Sequence, residues 1–157
     1  MRVLNVHRRL INQSKEKLLE LFSTLATGSD LVWPGEKWPP MRFKHGITEG
    51  AYGGHGPIRY QVTLCESTAV EFRFLRPKGF DGIHKLEIIP INDYRTEIKH
   101  TIEMTTKGMG TFIWVIAIRW LHDALIEDAF DKVENQFGPA IKSTEWNIWV
   151  KALRKIL

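Results

Sequence analysis

One cysteine, Cys65, stands in the 157 residues of this chain, so no intramolecular disulfide and no cysteine-based metal cluster can staple the fold. Apolar stretches are short as well. The longest, from Phe112 to Ile118, falls far below the ~20 residues of a membrane-spanning helix. The opening MRVLNVHRRLINQ has no apolar core of a secretory signal. These shortages predict a cytoplasmic protein. Neither sign of charge dominates: 22 Lys and Arg face 18 Asp and Glu, a net charge of +4. The basic residues are scattered except at the very end, which does not make the concentrated basic face of a nucleic-acid binder. The glycine-rich GAYGGHGP (Gly50 to Pro57) lacks the GxxxxGK[ST] pattern and opens no helix, so it reads as a flexible loop rather than a phosphate cradle. There is no G-x-S-x-G elbow and no Cys/His nucleophile signature. Internal repeats and low-complexity segments are absent, and no motif calls for a cofactor.

What is present is one domain's worth of ordinary globular sequence, 43% hydrophobic and 25% charged, with a generous six Trp and eight Phe. Residues 2–12 read as a strand. Ser14 is a candidate N-cap for a helix whose stripe is Leu18, Leu19, Leu21, Phe22 and Leu25, with Gly28 as its stop. Residues 29–45 hold three of the seven prolines and two of the six tryptophans, which predicts a short turn near Asp30 to Trp33 and then a loop. Alternation then predicts antiparallel strands. Ile58, Tyr60, Val62 and Leu64 share one face, and so do Val70, Phe72 and Phe74. Ile83 to Ile91 follows, with a hairpin at Asn92-Asp93. Then Tyr94, Thr96, Ile98, His100, Ile102 and Met104 share a face. From Met109 to Phe137 the period turns helical, over about 28 residues or roughly 42 Å. The first half, Phe112 to Ile118, is apolar on every side and must be covered on most of them. The second half carries Leu121, Leu125, Ile126, Phe130, Val133 and Phe137 against many acids. Residues 140–157 form an amphipathic tail: Trp146, Trp149, Val150, Leu153 and Ile156/Leu157 follow helical spacing beside Lys151, Arg154 and Lys155.

This order of elements resembles the helix-grip fold of the START-like, or SRPBCC, superfamily, which includes the birch pollen allergen, START lipid-transfer domains and aromatic polyketide cyclases. The segments that carry the resemblance are I-N-Q-S-K-E-K-L-L-E-L-F (Ile11 to Phe22) and Gly108 to Phe137. Gln13-Ser14 stands where the family often has Ala-Pro. The resemblance implies an α+β domain over residues 1–139, with a curved antiparallel sheet wrapped around a long C-terminal helix and an apolar cavity between them. It supports function only by class, because one fold hosts many activities.

On that layout the candidate ligand-binding residues are Trp33 and Trp38 near the cavity mouth, Tyr60, Phe72, His84 and His100 on the concave strand face, and Phe112, Trp114 and Ile118 on the helix. A histidine or tyrosine in an apolar cavity can orient a ligand or move a proton, although each is as readily a packed core residue. His122, Asp123, Glu127 and Asp128 have metal-ligand spacing, but they read as the wet acidic face of the long helix, and no metal is expected. The leading expectation is binding or transport of a small hydrophobic ligand such as a lipid, polyketide or isoprenoid-like molecule. The alternatives are a polyketide cyclase or hydratase using His84, His100 and Tyr60, and peripheral contact with a membrane surface through residues 140–157. That tail stripe equally suits packing on its own domain or on a partner subunit, as in a homodimer.

Overall fold

The alternating segments pair into seven antiparallel strands in the order β1-β7-β6-β5-β4-β3-β2. These are β1 (Arg2–Ile11), β2 (Arg42–Phe43), β3 (Tyr52–His55), β4 (Ile58–Glu66), β5 (Ala69–Arg76), β6 (Phe80–Asn92) and β7 (Arg95–Thr106). The structure is a computed structural model and describes residues 1–139 and 141–156. Helix α1 (Lys15–Phe22) follows β1, and a long helix, Met109–Asn135, follows β7 and crosses the concave face. A last helix, Ile148–Ile156, docks back on the long one. This is the helix-grip α+β architecture.

The inward parity of His84, Ile88, Thr96, Ile98, His100, Ile102 and Met104 holds in the sheet, where all are buried. The β6–β7 turn sits one residue later than the sequence suggests. Asn92 pairs with Arg95, and its Oδ1 accepts from the Tyr94 N–H at 3.0 Å. That side-chain bond moves the two-residue tip to Asp93-Tyr94.

Two local expectations are corrected. Helix α1 ends at Phe22, well before Gly28. The hydroxyls of Ser23 and Thr24 donate to the carbonyls of Glu20 and Leu21 and compete with further helical turns. Asp30 then takes over as organiser, its carboxylate accepting from the backbone N–H of Ala26, Val32 and Trp33. Ser14 occupies the N-cap position with extended backbone, but its hydroxyl caps nothing.

The glycine-rich segment is strand as well as loop, since β3 pairs with both β2 and β4. A side chain at Gly53 would meet the Phe43 ring at 2.4 Å, and one at Gly54 the Ile58 carbonyl at 2.1 Å. Here glycine permits close packing of backbone and ring rather than flexibility.

The long helix changes winding along its length. Met109–Ile113 is α-helical, Trp114–Ile118 is a π turn, and Arg119–Asn135 is α-helical again. A π turn displaces backbone carbonyls from their usual partners. Two indoles meet this need: Trp120 Nε1–H donates to the Val115 carbonyl at 3.1 Å, and Trp149 Nε1–H of the last helix donates to the Ile116 carbonyl at 2.8 Å.

Candidate functional site

A ribbon of imidazoles crosses the inner face of the sheet. Five of the six histidines belong to it. From β1 to β3, ring-centroid spacings are 5.8 Å for His7–His122, 4.9 Å for His122–His100, 5.5 Å for His100–His84, 4.8 Å for His84–Tyr60 and 5.8 Å for Tyr60–His55. Trp33 closes the row over His55 at 4.7 Å. The strands hold these residues in register because β-pairing sets His84 opposite both Phe72 and Ile102, and His7 opposite His100. Phe72 and Phe74 stack on His84 at 4.7 and 5.0 Å.

Burial pulls the imidazoles of His84, His100 and His122 below their ordinary range, and takes His55 down to about 3. They are therefore neutral at physiological pH, each with one N–H and one bare nitrogen. The Tyr60 hydroxyl is pushed up by burial and keeps its proton. It lies 3.3 Å from His55 Nδ1, a bond in which either group can donate. His84 Nδ1 and His100 Nε2 share one bond at 3.4 Å. Among the described residues, His84 Nε2, His100 Nδ1 and both nitrogens of His122 are buried without a partner. Unpartnered buried donors and acceptors are rare and cost about 1–3 kcal/mol each.

The expected cavity lies under Phe112 to Ile118. The Trp114 side chain packs there with Val3, Phe80, Ile102 and Met104. Phe112 itself stands 60% exposed, and Met109 and Val115 are exposed beside it, so the reading that this run is covered on most sides is corrected. Ile118 is half-buried between the two core clusters. Two cavities lie elsewhere, and neither takes a residue from the long helix. One, of about 360 Å³, lies under α1 and is walled by Leu19, Phe22, Leu25, Val70, Leu86 and Ile88. The other is an open groove of about 820 Å³ along β2–β4. Tyr60 and His55 line it, joined by Tyr52, Arg42, Arg59 and Arg76. Arg59 donates to the carbonyls of Gly56 and Ile58. None of the three guanidiniums has a carboxylate partner among the described residues.

Trp33 and Trp38 take structural hydrogen bonds. Trp33 Nε1–H donates to the Pro39 carbonyl at 2.9 Å, and Trp38 Nε1–H donates to Asp128 at 2.7 Å. Asp128, only 3% exposed, also accepts from Lys37 Nζ at 2.6 Å and Trp146 Nε1 at 2.8 Å. The Arg154 guanidinium lies over Trp38, 4.7 Å from the ring centroid. The tail therefore places Val150 and Leu153 against its own domain and leaves Ile148 and Ile156 exposed. Leu157, read as part of that stripe, lies outside the described residues.

The acids of the long helix overturn the wet-face reading. His7 Nδ1 meets Glu127 at 2.8 Å and its Nε2 meets Asp123 at 3.1 Å. Asn5 Nδ2 donates to Asp123 at 2.8 Å. Arg9 spans Glu127, Asp131 and Glu134 at 2.8–3.0 Å. The sequence signal for this lay in β1, where the inward parity of Val3 and Ile11 is shared by Asn5, His7 and Arg9. Burial alone would lower the His7 imidazolium, but the bonds to Asp123 and Glu127 outweigh it and raise it to about 9.

No family model matches the chain, and no curated protein sequence matches it. Solved structures do. Norcoclaurine synthase from Thalictrum flavum, in complex with dopamine and hydroxybenzaldehyde, superposes with a TM-score of 0.64 at 14% identity, covering 89% of this chain and 90% of that one. A START superfamily protein from Mycobacterium smegmatis gives 0.57 at 11%, covering 87% and 97%. A solution structure from Thermobifida fusca gives 0.63 at 11%, covering 86% and 93%. At these identities the likeness is one of fold, the helix grip.

Proposed function

We propose that the protein binds a small, mainly apolar molecule bearing an anionic group, seated in the groove along β2–β4. One observation carries this reading: Arg42, Arg59 and Arg76, without carboxylate partners among the described residues, line a groove of about 820 Å³ together with Tyr52, Tyr60 and His55. Pockets of this size suit small ligands, apolar surface supplying affinity and a few polar groups orientation. Unpaired guanidiniums suit a carboxylate or sulfonate, which they can grip with two parallel bonds. Aromatic rings and the Tyr60 hydroxyl suit the rest of the molecule. The fold's occurrence in a START superfamily protein agrees with such a role.

Fluorescence titration with anilinonaphthalenesulfonate, an aromatic anion, tests it. Saturable binding at one site is expected. Replacing Arg42 or Arg76 by Ala should each remove about 1.5 kcal/mol of charged hydrogen bonding, weakening binding roughly tenfold. Binding that ignores both replacements, or that is lost only when Leu86→Trp fills the cavity under α1, would overturn the reading.

A second reading rests on the Tyr60–His55 bond beside the same groove. With the His55 Nδ1–H donating to its oxygen, the protonated Tyr60 hydroxyl can donate a hydrogen bond to a bound carbonyl and polarise it, with no net transfer of a proton. An enzyme, norcoclaurine synthase, shares the fold. Catalysis would show as turnover lost in Tyr60→Phe with binding of the probe retained; equal turnover in both proteins rejects it.

A further inference from the structure

We infer that His7, His122 and Asp123 form a binding site for a divalent first-row transition-metal ion of the zinc class, with Glu127 orienting His7. The site is separate from the groove, and the two readings stand or fall independently.

The donors are brought together by tertiary structure: His7 comes from β1, and His122 and Asp123 come from the long helix. One ligand atom from each of the three lies within 4.8 Å of the others. His7 Nε2 is 3.1 Å from Asp123 Oδ1, and His122 Nδ1 is 3.7 Å from that same oxygen. Donors held about 2.0–2.1 Å from a tetrahedral zinc ion lie about 3.3 Å apart, which falls between these two spacings. Both imidazoles thus stand close to that spacing from the Asp123 oxygen.

Three further features point to an ion rather than to a simple ion pair. Among the described residues, His122 Nδ1 is buried without a hydrogen-bond partner. His7 presents its other nitrogen, Nδ1, to Glu127 at 2.8 Å, and Glu127 is held in turn by Arg9 Nη2 at 2.8 Å. A carboxylate behind a ligating imidazole is the usual support of a histidine–metal bond, since it fixes tautomer and ring orientation. Finally, among the described residues Asn5 Oδ1 is buried without a partner, while its Nδ2 rests on Asp123. Turning the amide would point an oxygen toward the ion, supplying a fourth donor, or that position could hold water. Loading releases the proton that His7 Nε2 shares with Asp123, and the Nδ1–H bond to Glu127 stays. Two imidazoles and one carboxylate suit a borderline ion better than calcium or magnesium, which prefer all-oxygen sets.

The test titrates chelator-treated full-length protein with zinc chloride by calorimetry, and with cobalt chloride by visible absorption. The expected result is one ion per chain, with the intense absorption of a tetrahedral cobalt centre. His122→Ala should weaken binding at least 100-fold, and Glu127→Gln should weaken it about 10–100-fold as an orienting residue. His45→Ala, on the exposed histidine outside the ribbon, should change nothing. Should a variant unfold, nitrogen-15 spectra of the wild-type imidazoles decide: zinc should shift the resonances of His7 and His122 together and leave His45 in place. Absence of binding, binding unaffected by His122→Ala, or shifts confined to His45 (an adventitious ion only) would overturn the site.

Discussion

The two halves of the long helix exchange the environments their compositions suggest. Met109 to Ile118 is apolar, yet Met109, Phe112, Val115 and Ile116 face outward. Arg119 to Asn135 is rich in acids, yet Asp123, Glu127, Asp128 and Asp131 face partners on β1, the proline-rich loop and the tail. Hydropathy alone predicts the reverse. The whole helix of 27 residues even meets the length and composition of a bilayer-spanning segment, although its charged half is tied to the sheet. A charge can be buried where it is matched, and an apolar residue is exposed where the fold offers it nothing to pack against.

The sharpest way to break this contrast is at Asp128. Asp128→Leu leaves two indole N–H groups and Lys37 without their acceptor. Removing one partner of a buried network costs about 3 kcal/mol, a large share of the roughly 5–15 kcal/mol that stabilises a domain. Denaturant unfolding should show it as a lower midpoint. The tail should loosen at the same time, seen as faster amide exchange in Ile148–Ile156.

Next in size is Arg9→Ala, which leaves Glu127, Asp131 and Glu134 to repel one another. The expected loss is about 2 kcal/mol. Arg9→Lys should recover only part of it, because an ammonium lacks the planar fork that spans the carboxylates.

The third effect is a pH dependence. His7 titrates at about 9 in the folded chain against 6.5 as its ordinary value. Its contribution is therefore complete below 6.5 and is lost as pH rises through 9. Glu127 is held low by its bond to His7, with Arg9 adding to this. Burial pushes Asp123 up, but the His122 ring 3.7 Å away and the hydrogen bonds from His7 and Asn5 prevail and hold it low. Their share is lost as pH falls below the ordinary values of 4.5 and 3.8. Chelator-treated protein should thus be most stable between these limits, and His7→Gln should flatten the alkaline fall in unfolding free energy. An unchanged alkaline slope would reject the ion-paired assignment.

The smallest effect belongs to the apolar half. Phe112→Ser should change stability by less than about 0.5 kcal/mol in the same unfolding assay, as surface positions generally do. A loss several times larger would mean that this face is covered in solution.

The sheet was legible because its strands report their own pleat. In β7 every second residue from Thr96 to Met104 is buried, and the sequence alternates in step. His100 could be assigned to the concave face on parity alone, whereas for His84 the pattern was divided, because Ile83, Ile89 and Ile91 alternate on the opposite face of β6. The metal-type cluster could not, because the same acids carry one pattern whether they meet water or His7 and Arg9. β3 was hidden for a related reason: Tyr52–His55 has little alternating character, and its glycines are explained only by the Phe43 ring and the Ile58 carbonyl above them.

The sequence by itself determined the order of the long elements, the face of the cleanest strand and the place where the period turns from two to that of a helix, since all of these are set by neighbours along the chain. Tertiary structure decided which charges are matched, where the π turn finds its indole donors and where open space remains. Those depend on which residues meet across more than 100 positions of sequence, as His7 meets Asp123, and no local pattern records the meeting.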